Sequence, residues 1–221
     1  MKKIYLSPSD QNYNIYAVGD TNEAVQCRKI AVALAAALER CGFQAKAGLE
    51  DSMSLRVSQS NEWGADLHLC IHTNAFDGTV KGTRLFCYDK TGEGYRACVA
   101  VMAALSPITP GESDSIAVQH FYEVRETNAA TVYLEVAFHD NKEEAAWIIS
   151  HIDEIAEAIC KGVCNHYSVE YVAPKVQETE ATEPAKWYRV QVGAFRNLDY
   201  AQAMLKKLQA AGFTAAYIKV E

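Results

Sequence analysis

Asp66-Leu67-His68-Leu69-Cys70-Ile71-His72, running on into Thr73-Asn74-Ala75, is the stretch whose reading decides the fold. Leu67, Leu69 and Ile71 alternate with His68, Cys70 and His72, so an extended chain places the three apolar residues on one face and the three polarisable ones on the other. Gly64 before it closes a helical pattern over 54–63. A helix entering such a strand is the local signature of an alternating α/β chain.

Working outward, a buried strand is predicted at 3–7, then a polar loop and a helix over 23–41 in which Val25, Ile30, Leu34 and Leu38 recur at helical spacing before Gly42. Strands are predicted at 43–47, 83–88 and 131–136. Helices are predicted at 95–105, at 142–150 with Asn141 as cap, and at 152–167. Pro107 and Pro110 mark a turn region. The expected fold class is α/β, a mostly parallel twisted sheet flanked by helices on both faces, plus a small C-terminal β-α-β unit. Residues 1–169 form the main domain in this reading. Residues 170–186, with Pro174, Pro184 and repeated Glu and Thr, form a solvated linker, and 187–221 supply strand, helix and strand over 187–195, 199–211 and 213–220.

Composition narrows the function. Of 221 residues, 49% are hydrophobic and 22% charged, the balance of an ordinary globular chain, and the net charge of −7 argues against a general nucleic-acid binder. From Lys186 onward six Lys or Arg face two acids, a local +4 that leaves −11 on the rest. The opening Met1-Lys2-Lys3-Ile4-Tyr5-Leu6-Ser7-Pro8 is too short in apolar residues for a signal-peptide core, and no stretch suits membrane insertion. Seven cysteines lack paired metal-type spacing and read as reduced thiols of a protein made in the cytoplasm.

An isolated buried histidine is ordinarily a hydrogen-bonded core residue, and that reading suits His68. His72 differs because it ends its strand, where open α/β sheets place their sites. Glu135 lies in the otherwise apolar run Thr131-Val132-Tyr133-Leu134-Glu135-Val136-Ala137-Phe138, where an unpaired carboxylate is costly; its plain reading is a salt bridge at a sheet edge. Glu23 by itself reads as an acid in the first turn of a helix.

Together these residues resemble the N-acetylmuramoyl-L-alanine amidase family 3. Ile71-His72-Thr73-Asn74-Ala75 is similar to its Ile-His-x-Asn-Ala motif, and Glu135-Val136-Ala137-Phe138 to its Glu-x-Gly-Phe run. Ala65-Asp66, Lys81-Gly82-Thr83 and Val124-Arg125 fall in matching order. The resemblance implies a zinc cofactor held by Glu23 and His72, with Glu135 as catalytic general base and acid. The family's first zinc histidine stands in Pro-Gly-His, whereas this chain reads Pro8-Ser9-Asp10. The third metal ligand is therefore open between Asp10, by position, and His139, four residues beyond Glu135 on the same strand face if the spacing continues.

Tyr188-Arg189-Val190-Gln191-Val192-Gly193-Ala194-Phe195 and the helix after it resemble the first half of a SPOR repeat, a peptidoglycan-binding module. The resemblances imply hydrolysis of the bond between N-acetylmuramic acid and L-alanine in peptidoglycan. A phage or prophage endolysin would reach the wall after release, and a homodimer would form through the half module. The alternative is a catalytically impaired, amidase-fold protein that binds peptidoglycan without cutting it.

Overall fold

The computed structural model describes residues 1–49, 52–174, 192–213 and 216–218. The chain divides into two compact units, Met1–Pro174 and Lys175–Glu221.

In the first unit, strands β1 (Lys3–Pro8), β2 (Gln44–Ala47), β3 (Leu67–Asn74), β4 (Arg84–Cys87), β5 (Ser115–Val118) and β6 (Ala130–Phe138) form one sheet in the order β2-β1-β3-β6-β4-β5. Every pairing is parallel except β4 with β6. Between the strands run α1 (Glu23–Arg40), α2 (Met53–Trp63), α3 (Glu93–Leu105) and α4 (Tyr122–Glu126), and α5 (Lys142–Ser150) and α6 (Ile152–Tyr167) follow β6. The mixed α/β class with helices on both faces agrees with the sequence reading. Two short elements were not foreseen: β5, four half-exposed residues on the sheet edge, and α4, five residues long.

Local chemistry sets the boundaries. The Asn22 side chain accepts from Val25 N–H to open α1, and Asn141 accepts from Glu143 and Glu144 N–H to open α5, each satisfying amides that a helix start leaves free. Gly42, at φ +86°, turns the chain from α1 toward β2.

The sheet has two faces of different chemistry, both covered. Ile4, Leu6, Leu67, Leu69, Ile71, Val132, Leu134 and Val136 join one apolar core with Ile30, Leu34 and Leu38 of α1, Val101 and Leu105 of α3, and Ile155, Ile159 and Val163 of α6. Gly162 lets α3 and α6 close on each other, since a Cβ there would stand 2.5 Å from Val101 Cα. The opposite face carries Tyr5, Ser7, His68, Cys70, His72, Tyr133 and Glu135. Tyr5 packs against Trp63 and bonds Gln59, both of α2, which ties that helix over the polar face.

In the second unit, α7 (Leu198–Ala210) is capped by Asn197 and buries none of its residues. Of the strand expected at 187–195, residues 187–191 lie outside the described residues and 192–195 are not strand. Of that expected at 213–220, residues 214, 215, 219 and 220 lie outside, and 213 and 216–218 are not strand. No helix among the described residues is long and apolar enough to cross a membrane.

Candidate active site

Because β1, β3 and β6 run parallel, their carboxyl ends gather along one edge of the sheet, and the loop after β1 brings the start of α1 to the same edge. His72 and Glu135 are direct register partners on adjacent strands and share the polar face. Glu23 meets them from the first turn of α1, its Oε1 2.9 Å from His72 Nδ1. Glu23 is almost wholly buried, and its other oxygen accepts from Asn14 Nδ2 at 2.6 Å. Thr73 N–H adds a longer contact of 3.4 Å.

The far nitrogen of His72 faces a residue the sequence did not single out. Glu123, on α4, places Oε2 4.0 Å from His72 Nε2, an ion-pair distance, and both atoms are sealed from solvent with no hydrogen-bond partner among the described residues. Its second oxygen accepts from the Ser7 hydroxyl and lies 3.3 Å from His68 Nε2. His68 Nδ1 meets Ser60 Oγ at 2.9 Å, and the fully buried Arg56 donates through Nε to Ser7 Oγ at 2.8 Å. Beneath His72 lies the ring of Tyr133, stacked at 4.5 Å.

These contacts determine the charges. Burial alone would lower the His72 pKa, but the nearby Glu123 carboxylate, the hydrogen bond to Glu23 and the charge of Glu135 outweigh it and raise the pKa to about 9. Burial likewise opposes charge on Glu123, yet His68, His72 and Ser7 hold its carboxyl far below the usual range. Glu23 is lowered against its burial by His72, Asn14 and Ser9. Glu135 behaves oppositely. Desolvation pushes it up to about 8, the charge of His72 only partly compensating and Glu23 adding repulsion, while its Oε2 has no partner among the described residues.

The His72 ring thus lies between two carboxylates. In the neutral ring a proton on Nδ1 can donate to Glu23 Oε1, which leaves Nε2 facing Glu123. The second carboxylate favours a proton there as well, the direction of the raised pKa. A metal ion replacing the Nδ1 proton would use the same nitrogen and oxygen, with Glu123 as the outer carboxylate that fixes the ring.

The other two sequence candidates are engaged with different partners. Asp10 Oδ2 is 3.4 Å from Arg56 Nη1. His139 is buried, stacked on Tyr16 at 5.2 Å, with Nδ1 against Thr73 Oγ1 and the Thr73 carbonyl. The side chain beside the Glu23–His72 pair is instead Gln11, its Nε2 3.4 Å from His72 Nδ1 and its Oε1 accepting from Asn14 at 2.9 Å. His68, Cys70 and Glu123 bring ligand atoms within 4.8 Å of one another, a set that could hold a metal ion, although the Arg56 charge stands next to it.

Comparison with known proteins gives these observations a frame. Residues 8–165 match the family model described as N-acetylmuramoyl-L-alanine amidase, and residues 184–221 match that of the SPOR domain. The chain is 27% identical over 170 residues to the N-acetylmuramoyl-L-alanine amidase CwlM of Bacillus licheniformis, a match covering 76% of this chain and 62% of the relative. It is 25% identical over 167 residues to the sporulation-specific N-acetylmuramoyl-L-alanine amidase of Bacillus subtilis strain 168, covering 73% and 60%. In both cases it spans less than two thirds of the relative's length. Among solved structures, it resembles the catalytic domain of CwlV from Bacillus (Paenibacillus) polymyxa var. colistinus, with TM-score 0.69 and 17% identity over 77% of this chain and 100% of that one. AmiC2 of Nostoc punctiforme gives TM-score 0.67 and 20% identity over 76% and 97%. These structural likenesses establish the fold.

Proposed function

The chain belongs to the N-acetylmuramoyl-L-alanine amidase family, and from that premise we propose that it hydrolyses the amide joining the muramoyl lactyl group to L-alanine in peptidoglycan. The observation that carries the reading is the Glu23–His72 pair set beside Glu135 at the carboxyl edge of the sheet.

We infer zinc as the cofactor, with Glu23 and His72 holding it and the Gln11 carboxamide 3.4 Å from His72 Nδ1; bound there, it would polarise the amide carbonyl and bring the pKa of its water toward about 7. Glu123 holds the His72 ring through Nε2, so that Nδ1 keeps its orientation toward Glu23. Glu135 takes a proton from the attacking water as the new C–O bond forms. It passes that proton to the alanine nitrogen as the C–N bond breaks. A carboxyl with a pKa near neutrality suits both steps, because it gains and loses a proton at little cost.

The proposed division is an amidase domain at 1–169, a linker at 170–186 and a wall-binding module at 187–221, within which two chains would pair as a homodimer. The SPOR match supports peptidoglycan as the partner. Purified peptidoglycan incubated with the full chain should gain free N-terminal L-alanine without new reducing sugar ends. Binding without any release of alanine would favour the non-catalytic reading, which the engagement of Asp10 by Arg56 at the family's histidine position supports.

A further inference from the structure

Three cysteines that the amidase chemistry does not use converge at the opposite end of α1. Glu23 opens that helix and Cys41 follows its last residue, 18 residues on, or about 27 Å along the axis. Cys160 and Cys164 sit one turn apart on α6 and therefore share a face. All three are buried free thiols whose sulfurs lie within 4.8 Å of one another, with Cys160 Sγ 3.7 Å from Cys41 Sγ. Two thiolates bound to one tetrahedral zinc at Zn–S near 2.3 Å stand about 3.8 Å apart.

Burial and the neighbouring sulfurs push the Cys160 and Cys164 thiols well above their ordinary range, so a bound cation would have to displace the protons, and two nearby features favour negative sulfur. Val172 N–H points at Cys41 Sγ at 3.4 Å. Arg40 donates through Nε to Val172 O at 2.8 Å and through Nη2 to Glu157 at 2.5 Å, and its charge favours the Cys164 thiolate. An N–H donor and a nearby cation both stabilise negative sulfur out of water. We propose that Cys41, Cys160 and Cys164 form a second metal site, for one thiophilic ion of the zinc or copper(I) type. Each thiol loses its proton to solvent and keeps the bonding electron pair, so no oxidant or reductant takes part. Residues 171 and 172 wall the site, since Tyr171 OH bonds Glu157 at 2.6 Å beside the Val172 contacts.

The test is a cobalt(II) titration of the reduced full-length chain. One equivalent should give intense sulfur-to-cobalt charge-transfer absorption, retained in Cys70→Ser and His72→Ala and lost in the double variant Cys160→Ser, Cys164→Ser. Zinc or copper(I) should displace the cobalt and abolish the band. A second measurement on the unaltered chain guards against a variant that does not fold: zinc should slow alkylation of Cys41, Cys160 and Cys164 relative to chelator-treated protein. Absence of the band in the folded wild-type chain, its persistence in the folded double variant, or equal alkylation with and without zinc would each overturn the proposal.

Discussion

The Glu123 carboxylate stands 4.0 Å from Nε2 of His72 while the other nitrogen of the same ring meets Glu23 at 2.9 Å. The catalytic-edge histidine is therefore held at both ends by acids from different helices. Glu123→Gln keeps the shape but offers a weaker partner to Nε2, and loss of an outer carboxylate behind a metal-bound histidine typically costs about 10- to 100-fold in affinity. Zinc competition against a chelator should show a drop of that size. Unchanged affinity would confine Glu123 to a packing role.

The same carboxylate makes stability depend on acid. The Glu123 folded-state pKa lies below its unfolded value, so its contribution is present above the ordinary carboxylate range of about 4.3 and is lost as pH falls toward the folded value. Denaturant unfolding at pH 7 and pH 3 should show a larger acid-induced loss in wild type than in Glu123→Gln. Equal losses would mean that other groups carry the effect.

Glu135→Gln should keep the fold and the bound metal yet slow alanine release by roughly 100-fold or more, the scale of a lost acid-base group. Near-normal turnover would remove Glu135 from the chemistry.

His72→Ala should lose metal and activity together, because it removes a ligand rather than a proton carrier. Asp10→Ala and His139→Ala, whose partners are Arg56 and Thr73, should keep zinc affinity close to wild type. A strong loss in either would identify it as the third ligand.

Strand and helix positions were legible wherever burial imposed a period. Leu67, Leu69 and Ile71 announced β3, and the lone acid in the apolar run of β6 announced Glu135. Glu123 gave no such signal. It lies in a five-residue helix too short for periodicity, among Tyr122, Val124 and Arg125, and only the fold carries it to His72. Gln11 and Asn14 read as a polar loop because neutral amides are common in loops, and their value here comes from meeting Glu23 and His72. His139 looked like a ligand if strand alternation continued past Phe138, but β6 ends there and its ring turns to Tyr16 and Thr73.

The two-faced sheet sets the kind of change this protein can tolerate. On β3, odd positions from 67 to 71 fill the apolar core, while even positions from 68 to 72 line the polar network. Gaining or losing one residue within that strand would exchange the two sets, driving imidazoles into hydrocarbon and leucines against carboxylates. Core and chemistry share a single reading frame, so variation along β3 is restricted to replacement of one side chain by another, and new lengths must arise in the loops beyond its ends.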